Sequence, residues 1–156
     1  MIERSAPPGR SHSGVRPRGP LVLLVEEEES LRELHAAELA SAGFMVLEAS
    51  DGATAIEKAL LFGPHAVVLD LVLSGVDSFK VARRLRADDR THDVVLIALT
   101  GLSSPRFDEL AVAAGCDASL RKPVSTAALI GELVRQIAAR GKSGSQPDLS
   151  RIAHDR

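Results

Sequence analysis

Short apolar runs alternate with longer amphipathic stretches through the middle of the chain. The runs predict five strands, at 21–25, 44–49, 66–69, 94–99 and 117–120. The first run, LVLLV, is apolar at every position, which is typical of a strand buried on both faces of a parallel sheet. The last run is the weakest of the five, because it contains polar residues. The pattern therefore predicts strands that are mostly buried rather than half exposed.

The stretches between the runs predict helices. Their predicted bounds are 30–42, 52–62, about 77–87, 105–114 and 126–140. Ser30 and Ser125 are predicted to cap the first and last helices, because a serine hydroxyl can accept a hydrogen bond from a free N–H of the first turn. In the first helix Leu31, Leu34 and Leu39 fall roughly on one side and are expected to face the core. Asp77 is a suitable cap for the third helix.

This alternation predicts an α/β fold, with five βα units in a single domain. Connections of this kind give a doubly wound parallel sheet with helices on both faces. In such a sheet the functional site lies at the carboxyl ends of the strands, near the switch in strand order. Glu26, Glu27, Asp70, Thr100 and Lys122 end or follow four of the predicted strands. We therefore expect these side chains to meet in one crevice.

Composition changes this picture mainly at the two ends. Residues 1–19 and 141–156 are rich in small, polar and basic residues, so both are predicted to be disordered flanks of a domain at 20–140. The net charge is −2 although the flanks are basic, which leaves an acidic middle that suits nucleic acid poorly. One cysteine excludes an internal disulfide, and no apolar run is long enough for a membrane span. A cytoplasmic location is predicted.

Four separated segments carry a resemblance to a known family. They are LVLLVEEEESLREL, AVVLDLVLSGVDSF, VARRLRADDRTHDVVLIALTG and AAGCDASLRKPV. Over about residues 20–140, and in the same order, they resemble the receiver domain of bacterial response regulators, the CheY-like superfamily of two-component signalling. The resemblance implies the flavodoxin-like strand order 2-1-3-4-5.

The resemblance also implies roles for individual residues. Asp70 would be the phosphoacceptor, which takes a phosphoryl group from a phosphohistidine of a histidine kinase or a histidine phosphotransfer protein. Thr100 would hydrogen-bond a phosphoryl oxygen, and Lys122 would neutralise the phosphoryl charge. The peptide bond before Pro123 would be cis.

Ser74 and Ser78, which replace the usual Pro and Gly, depart from the family pattern without touching the chemistry, and two further positions depart where the chemistry lies. The resemblance implies Mg²⁺ on Glu26, Glu27 and Asp70, but the second acid of this pair is usually an aspartate. Because a metal site holds its ligand distances to about ±0.2 Å, the extra methylene of Glu27 predicts weakened rather than abolished Mg²⁺ binding. Ser119 stands where receivers usually carry Tyr or Phe. Coupling from Asp70 to the surface formed by the fourth helix, fifth strand and fifth helix is therefore expected to be altered or lost.

Together these features predict a stand-alone response regulator receiver that signals through protein–protein contacts at that surface. It is not expected to be an enzyme beyond slow self-dephosphorylation, and no direct nucleic-acid or membrane partner is expected. The alternative is a degenerate receiver with impaired Mg²⁺ binding, which acts as an adaptor independently of phosphorylation.

Two enzyme or cofactor classes fit less well. A haloacid-dehalogenase-like phosphatase needs a second acid two residues after its nucleophile, and Val72 stands there. A flavodoxin needs Gly, Ser or Thr amides for its phosphate where this chain has glutamates.

Overall fold

Five parallel strands form one sheet in the order β2-β1-β3-β4-β5 in the computed structural model. The structure describes residues 19–73, 78–101 and 105–141. The strands are β1 (Leu21–Val25), β2 (Met45–Ala49), β3 (Ala66–Asp70), β4 (Val95–Thr100) and β5 (Ala118–Arg121). The predicted α/β class and the 2-1-3-4-5 order are confirmed. The predicted flanks lie outside the described residues, apart from residues 19 and 141.

Five helices cover the two faces of this sheet. They are α1 (Glu29–Ser41), α2 (Gly52–Phe62), α3 (Ser78–Ala87), α4 (Pro105–Ala113) and α5 (Thr126–Arg140). Helices α1 and α5 pack on one face, while α2, α3 and α4 contribute to the core on the other. Within the described part of the chain, no helix is both long and apolar enough to cross a bilayer.

The central strands explain why the apolar runs are continuous. β3 and β4 are buried at every position. Along β4, Leu96 and Ala98 pack towards α2, α3 and α4, whereas Ile97 and Leu99 pack towards α1 and α5. Because alternate side chains enter different cores, each position of such a strand must be apolar.

The predicted cap of α1 is wrong. The helix begins at Glu29, after the N-cap residue Glu28, whose side chain makes no capping hydrogen bond. The Glu26 N–H donates to the Ala49 carbonyl (3.0 Å), which ties the chain to β2 just before the helix. The N-cap position is therefore Glu28, two residues before Ser30. Ser30 lies inside the helix and does not cap it. The Asp77 cap predicted for α3 lies outside the described residues.

Asp117, which directly precedes β5, is anchored at the amino-terminal end of the strands, opposite the predicted site. Asp117 pairs with Arg86 of α3 (Nη2–Oδ2, 2.8 Å) and with Arg140 of α5. The same Asp117 carboxylate accepts a hydrogen bond from the Leu96 N–H (2.9 Å). These contacts fix β5 beside β4 and so fix the direction of the segment that carries Lys122.

Candidate functional site

Two buried carboxyl groups lie side by side where the strand order reverses. Asp70 is the last residue of β3 and Glu26 directly follows β1, and Val25 of β1 is the register partner of Leu69. Asp70 is 3% exposed and Glu26 is 5% exposed. The switch in strand order opens a crevice between the connections that leave β1 and β3, and both side chains lie there.

Lys122 connects these two carboxyl groups. Its Nζ hydrogen-bonds Asp70 Oδ2 and lies 3.2 Å from Glu26 Oε2. The Lys122 main-chain N–H donates to the Thr100 carbonyl (2.8 Å), which lays the segment after β5 across the end of β4. The Lys122–Pro123 peptide bond is cis. Three of the predicted site residues, from three different strand ends, are therefore in contact.

The rest of the Asp70 residue is also held. Its Oδ1 accepts a hydrogen bond from the Val72 N–H (2.9 Å). Its main-chain carbonyl accepts one from the Ser78 hydroxyl (3.0 Å), which is buried at the start of α3. Each carboxylate oxygen thus has a donor, and the main chain is tied to the next helix.

The two acids differ in their proton affinity. Burial, together with the hydrogen bond to Asp70 and the charge of that neighbouring acid, outweighs the opposing effect of Lys122 and raises the pKa of Glu26 to about 7. Burial also acts to raise the pKa of Asp70, but hydrogen bonds from Glu26, Lys122 and the Val72 N–H outweigh it and hold that pKa below its usual value. Burial acts to lower the pKa of Lys122, yet its contacts with both acids raise it. At neutral pH the site holds an ionised Asp70 against a protonated lysine.

The remaining predicted residues lie around this centre in different ways. Thr100 is fully buried at the end of β4, next to Leu99, which is the register partner of Asp70. Ser119 donates through its hydroxyl to Asp108 Oδ1 of α4 (2.9 Å). Glu27 is exposed. The structure thus places Thr100 at the site, connects Ser119 to α4 and puts Glu27 at the surface.

Comparison with known proteins gives the family. A family model for the response regulator receiver domain matches residues 22–134, which is most of the chain. The chain belongs to this receiver domain family. The matched residues include all of the sheet except Leu21, together with Glu26, Asp70, Thr100 and Lys122.

Individual relatives agree with this assignment. The receiver is 34% identical over 104 residues to the DNA-binding dual master transcriptional regulator RpaA of Synechocystis, covering 67% of this chain and 43% of that protein. It is 30% identical over 128 residues to the phosphate regulon transcriptional regulatory protein PhoB of Pseudomonas aeruginosa, covering 82% and 56%. The chain thus spans about half the length of these curated relatives.

A solved structure resembles this receiver over about three quarters of this chain. The receiver domain of the sensor histidine kinase PA1611 of Pseudomonas aeruginosa superposes with a TM-score of 0.70 at 32% identity. The match covers 77% of this chain and 98% of that one. That structure is described as holding a magnesium ion coordinated in its active site cleft.

The acids of this receiver only partly fit such an ion. Glu26 and Asp70 converge and offer the oxygen ligands that Mg²⁺ prefers. Glu27 does not join them: among the described residues, no group of three or more acidic, histidine or cysteine side chains is arranged to hold a metal. The arrangement in this structure is a carboxylate pair bridged by Lys122, and the Mg²⁺ ligand set of Glu26, Glu27 and Asp70 that the resemblance implies stays a prediction.

Two contributors to the site were missed from the sequence. Ser78 stands where the family usually has glycine, and its hydroxyl donates to the Asp70 main-chain carbonyl. Arg32 donates to the main chain of Glu26 (3.0 Å). A signal for Arg32 existed, since a basic residue in the first turn of a helix opposes the helix dipole and calls for a compensating contact.

Proposed function

We propose that this receiver accepts a phosphoryl group on Asp70 from a phosphohistidine of a histidine kinase or histidine phosphotransfer protein. The observation that carries the proposal is the contact of Lys122 Nζ with the Asp70 carboxylate in a buried crevice. An Asp70 oxygen attacks phosphorus and the P–N bond breaks. Its electron pair leaves with the imidazole, which takes up a proton, and an acyl phosphate remains on Asp70.

The neighbouring residues support this reaction through charge and position. The low pKa of Asp70 keeps its carboxylate ionised, as a nucleophile must be. The Lys122 ammonium offsets the charge on the phosphoryl oxygens as they approach. Thr100, at the adjacent strand end, donates its hydroxyl to a phosphoryl oxygen once Asp70 is modified. Water later cleaves the acyl phosphate slowly, so the receiver is a signalling domain and not an enzyme with a free substrate.

The signal leaves through protein contacts on the surface formed by α4, β5 and α5. Val112 of α4 and Arg121 of β5 are exposed there.

We also propose that this receiver acts alone, without a covalently attached output domain. Detection of a single cellular species of about the 16.5 kDa of this chain supports it, whereas a product of roughly twice that mass contradicts it.

The test is incubation with acetyl phosphate and Mg²⁺, followed by a phosphate-affinity gel. The parent protein is expected to show a retarded band, and Asp70→Asn is expected to show none. Asp70→Asn is a matched control, because it keeps the shape of the side chain and removes only the nucleophilic charge. A retarded band that persists in Asp70→Asn places the phosphoryl group elsewhere and overturns the proposal.

Magnesium binding is weakened in this receiver rather than lost. Glu26 and Asp70 are available as ligands, and Glu27 lies at the surface outside their pair. Shortening the side chain in Glu27→Asp is expected to tighten Mg²⁺ binding about ten-fold, the size of effect found when one ligand or its support is altered. Titration of the parent and the variant with Mg²⁺, followed by NMR, measures the difference. Equal affinities for the two proteins would show that the extra methylene does not matter.

The second candidate is a degenerate receiver that acts as an adaptor without phosphorylation. The exposed position of Glu27 favours it, and so does the hydrogen bond from Ser119 to Asp108, because a serine cannot replace the ring that usually occupies this position. The gel separates the two candidates. A band shift that is absent in the parent but present in Glu27→Asp supports the adaptor.

A further inference from the structure

Arg32 lies in the first turn of α1, which is an unfavourable place for a positive charge. The helix dipole places partial positive charge at that end, so a cation there is destabilised unless other contacts compensate. The Arg32 side chain is only 17% exposed, so water screens it little. Its contacts within the protein must therefore make up the difference.

Those contacts go to the loop that carries the two glutamates. Arg32 Nη1 donates to the carbonyl oxygen of Glu26 (3.0 Å) and makes a longer contact with that of Glu27 (3.5 Å). Arg32 Nε pairs with Glu48 Oε1 of β2 (3.4 Å). A planar guanidinium can serve these acceptors at once, which a lysine ammonium on a flexible stem does less well.

The loop is thus held from two sides. The Glu26 N–H donates to Ala49 of β2 (3.0 Å), and the Glu26 carbonyl accepts from Arg32. With both main-chain groups of Glu26 bound, its side chain leaves the loop in a fixed direction. That direction brings Oε2 to 3.2 Å from Lys122 Nζ, beside Asp70.

We infer that Arg32 is a positioning residue, which holds the main chain of Glu26 and Glu27 so that the Glu26 carboxylate stays against Lys122 and Asp70. It touches no reacting atom. Through this loop it sets the maximal rate at which Asp70 is phosphorylated, and in that respect the inference rests on the proposed function. The part that concerns the loop stands without it.

The first measurement is amide hydrogen exchange in the loop, which requires no phosphorylation. In Arg32→Met the Glu26 amide, which donates to the Ala49 carbonyl, is expected to exchange about ten-fold faster, because the charge-assisted hydrogen bond that holds the Glu26 carbonyl is lost. Arg90→Met is the matched control: Arg90 forms an exposed pair with Asp88 (2.9 Å) outside the site. Arg32→Lys is expected to restore part of the protection. Unchanged exchange in Arg32→Met overturns the inference.

The second measurement is the rate of Asp70 phosphorylation at increasing acetyl phosphate. In Arg32→Met the maximal rate is expected to fall about ten-fold, while the donor concentration at half-maximal rate changes little, since Arg32 does not contact the donor. Arg32→Lys recovers part of the rate, and Arg90→Met matches the parent. A merely structural role would leave the maximal rate of the folded variant unchanged, and that result overturns the inference.

The two measurements separate failure of the inference from failure of the proposed function. If the parent protein is not phosphorylated, the proposed function fails, and hydrogen exchange still decides whether Arg32 holds the loop. If the parent is phosphorylated and Arg32→Met behaves like Arg90→Met in both measurements, the proposed function stands and Arg32 has no positioning role.

Discussion

At the scale of single residues, the site combines two buried acids with one ammonium group. Removing a charge from water is costly, and the cost is repaid only when a partner and hydrogen bonds replace the lost hydration. Lys122 supplies that partner to Glu26 and Asp70, while the Val72 N–H supplies a further donor to Asp70. The residues expected to act on a phosphoryl group are therefore also needed to keep the crevice folded.

Loss of the ammonium group should be measurable as a loss of stability. Lys122→Met is expected to lower the free energy of unfolding by about 2 kcal/mol, less than for a fully buried pair because the lysine keeps some contact with water. Urea unfolding of the parent and the variant measures this. Adding Glu26→Gln to Lys122→Met removes one of the two unpaired acids and is expected to recover part of the loss. No loss in the single variant would mean that water reaches both acids freely.

A histidine links stability to pH. His65 directly precedes β3, at the end of the strands opposite the site. Loss of hydration lowers the pKa of His65 below its ordinary value of 6.5. The Leu21 N–H donates to His65 Nδ1 (3.0 Å), and a protonated Nδ1 could not accept that bond. The folded state therefore binds the proton less well than the unfolded chain does. The stability that neutral His65 contributes is complete above pH 6.5 and is lost as the pH falls below that value.

This pH dependence can be isolated with His65→Asn, whose Oδ1 can accept the same hydrogen bond but does not titrate. Between about pH 8 and about pH 5.5 the parent is expected to lose more stability than the variant. Urea unfolding at both pH values gives the two differences. Equal losses in the two proteins would assign the pH dependence to other groups.

At the scale of secondary-structure elements, two serines near helix starts behave differently: one caps its helix and the other does not. The Ser125 hydroxyl accepts a hydrogen bond from the Ala128 N–H (3.1 Å), as predicted for the start of α5. Ser30 is also a serine that precedes an amphipathic stretch, yet it lies exposed inside the first turn of α1. The difference lies in the preceding loop, which is tied to β2 and to Arg32, so the main chain decides where α1 begins.

Two alanine substitutions test this difference. Ser125→Ala is expected to lower the free energy of unfolding by about 1 kcal/mol, the usual cost of losing a capping hydroxyl. Ser30→Ala is expected to change it by about zero, because alanine is a good helix former and no cap is lost. Both can be measured by urea unfolding. A loss in Ser30→Ala as large as that in Ser125→Ala would show that Ser30 does cap the helix.

At the scale of the whole molecule, one sheet separates two hydrophobic cores. The two cores share no side chains, because successive residues of each central strand point to opposite faces. Leu96 and Ile97 are neighbours in β4, and both are fully buried, each in a different core. Val46 in the edge strand β2 is only partly buried.

Both cores should therefore be equally sensitive to truncation. Leu96→Ala and Ile97→Ala are each expected to cost about 3 kcal/mol of unfolding free energy, and Val46→Ala about 1 kcal/mol. The slope of the unfolding free energy against urea concentration should stay the same, since the surface exposed on unfolding does not change. If only one of the two central substitutions is costly, one face of the sheet is not a packed core.

The sequence pattern predicts the buried face of α1 less well than it predicts the buried strands. Leu34 was expected to face the core, but it is 53% exposed. Leu39 is buried as predicted, and α1 also buries His35 and Ala36. A stripe of leucines on a helix can be rotated by tens of degrees without a visible change in the pattern, so the neighbouring helix and strand select the side that is buried.

The sequence by itself determined the order of the strands and helices, the buried character of the central strands and the positions of Asp70, Thr100 and Lys122 at strand ends. These follow from local patterns and from a family motif carried by separated segments. Only the tertiary structure decided that Lys122 joins Glu26 to Asp70 while Glu27 lies at the surface, that Ser119 bonds to α4, and that Arg32 holds the acidic loop. The contacts of Lys122 connect residues far apart in the chain. For Glu27 and Arg32, the direction in which a side chain leaves a loop or a helix end depends on main-chain hydrogen bonds that no local pattern records.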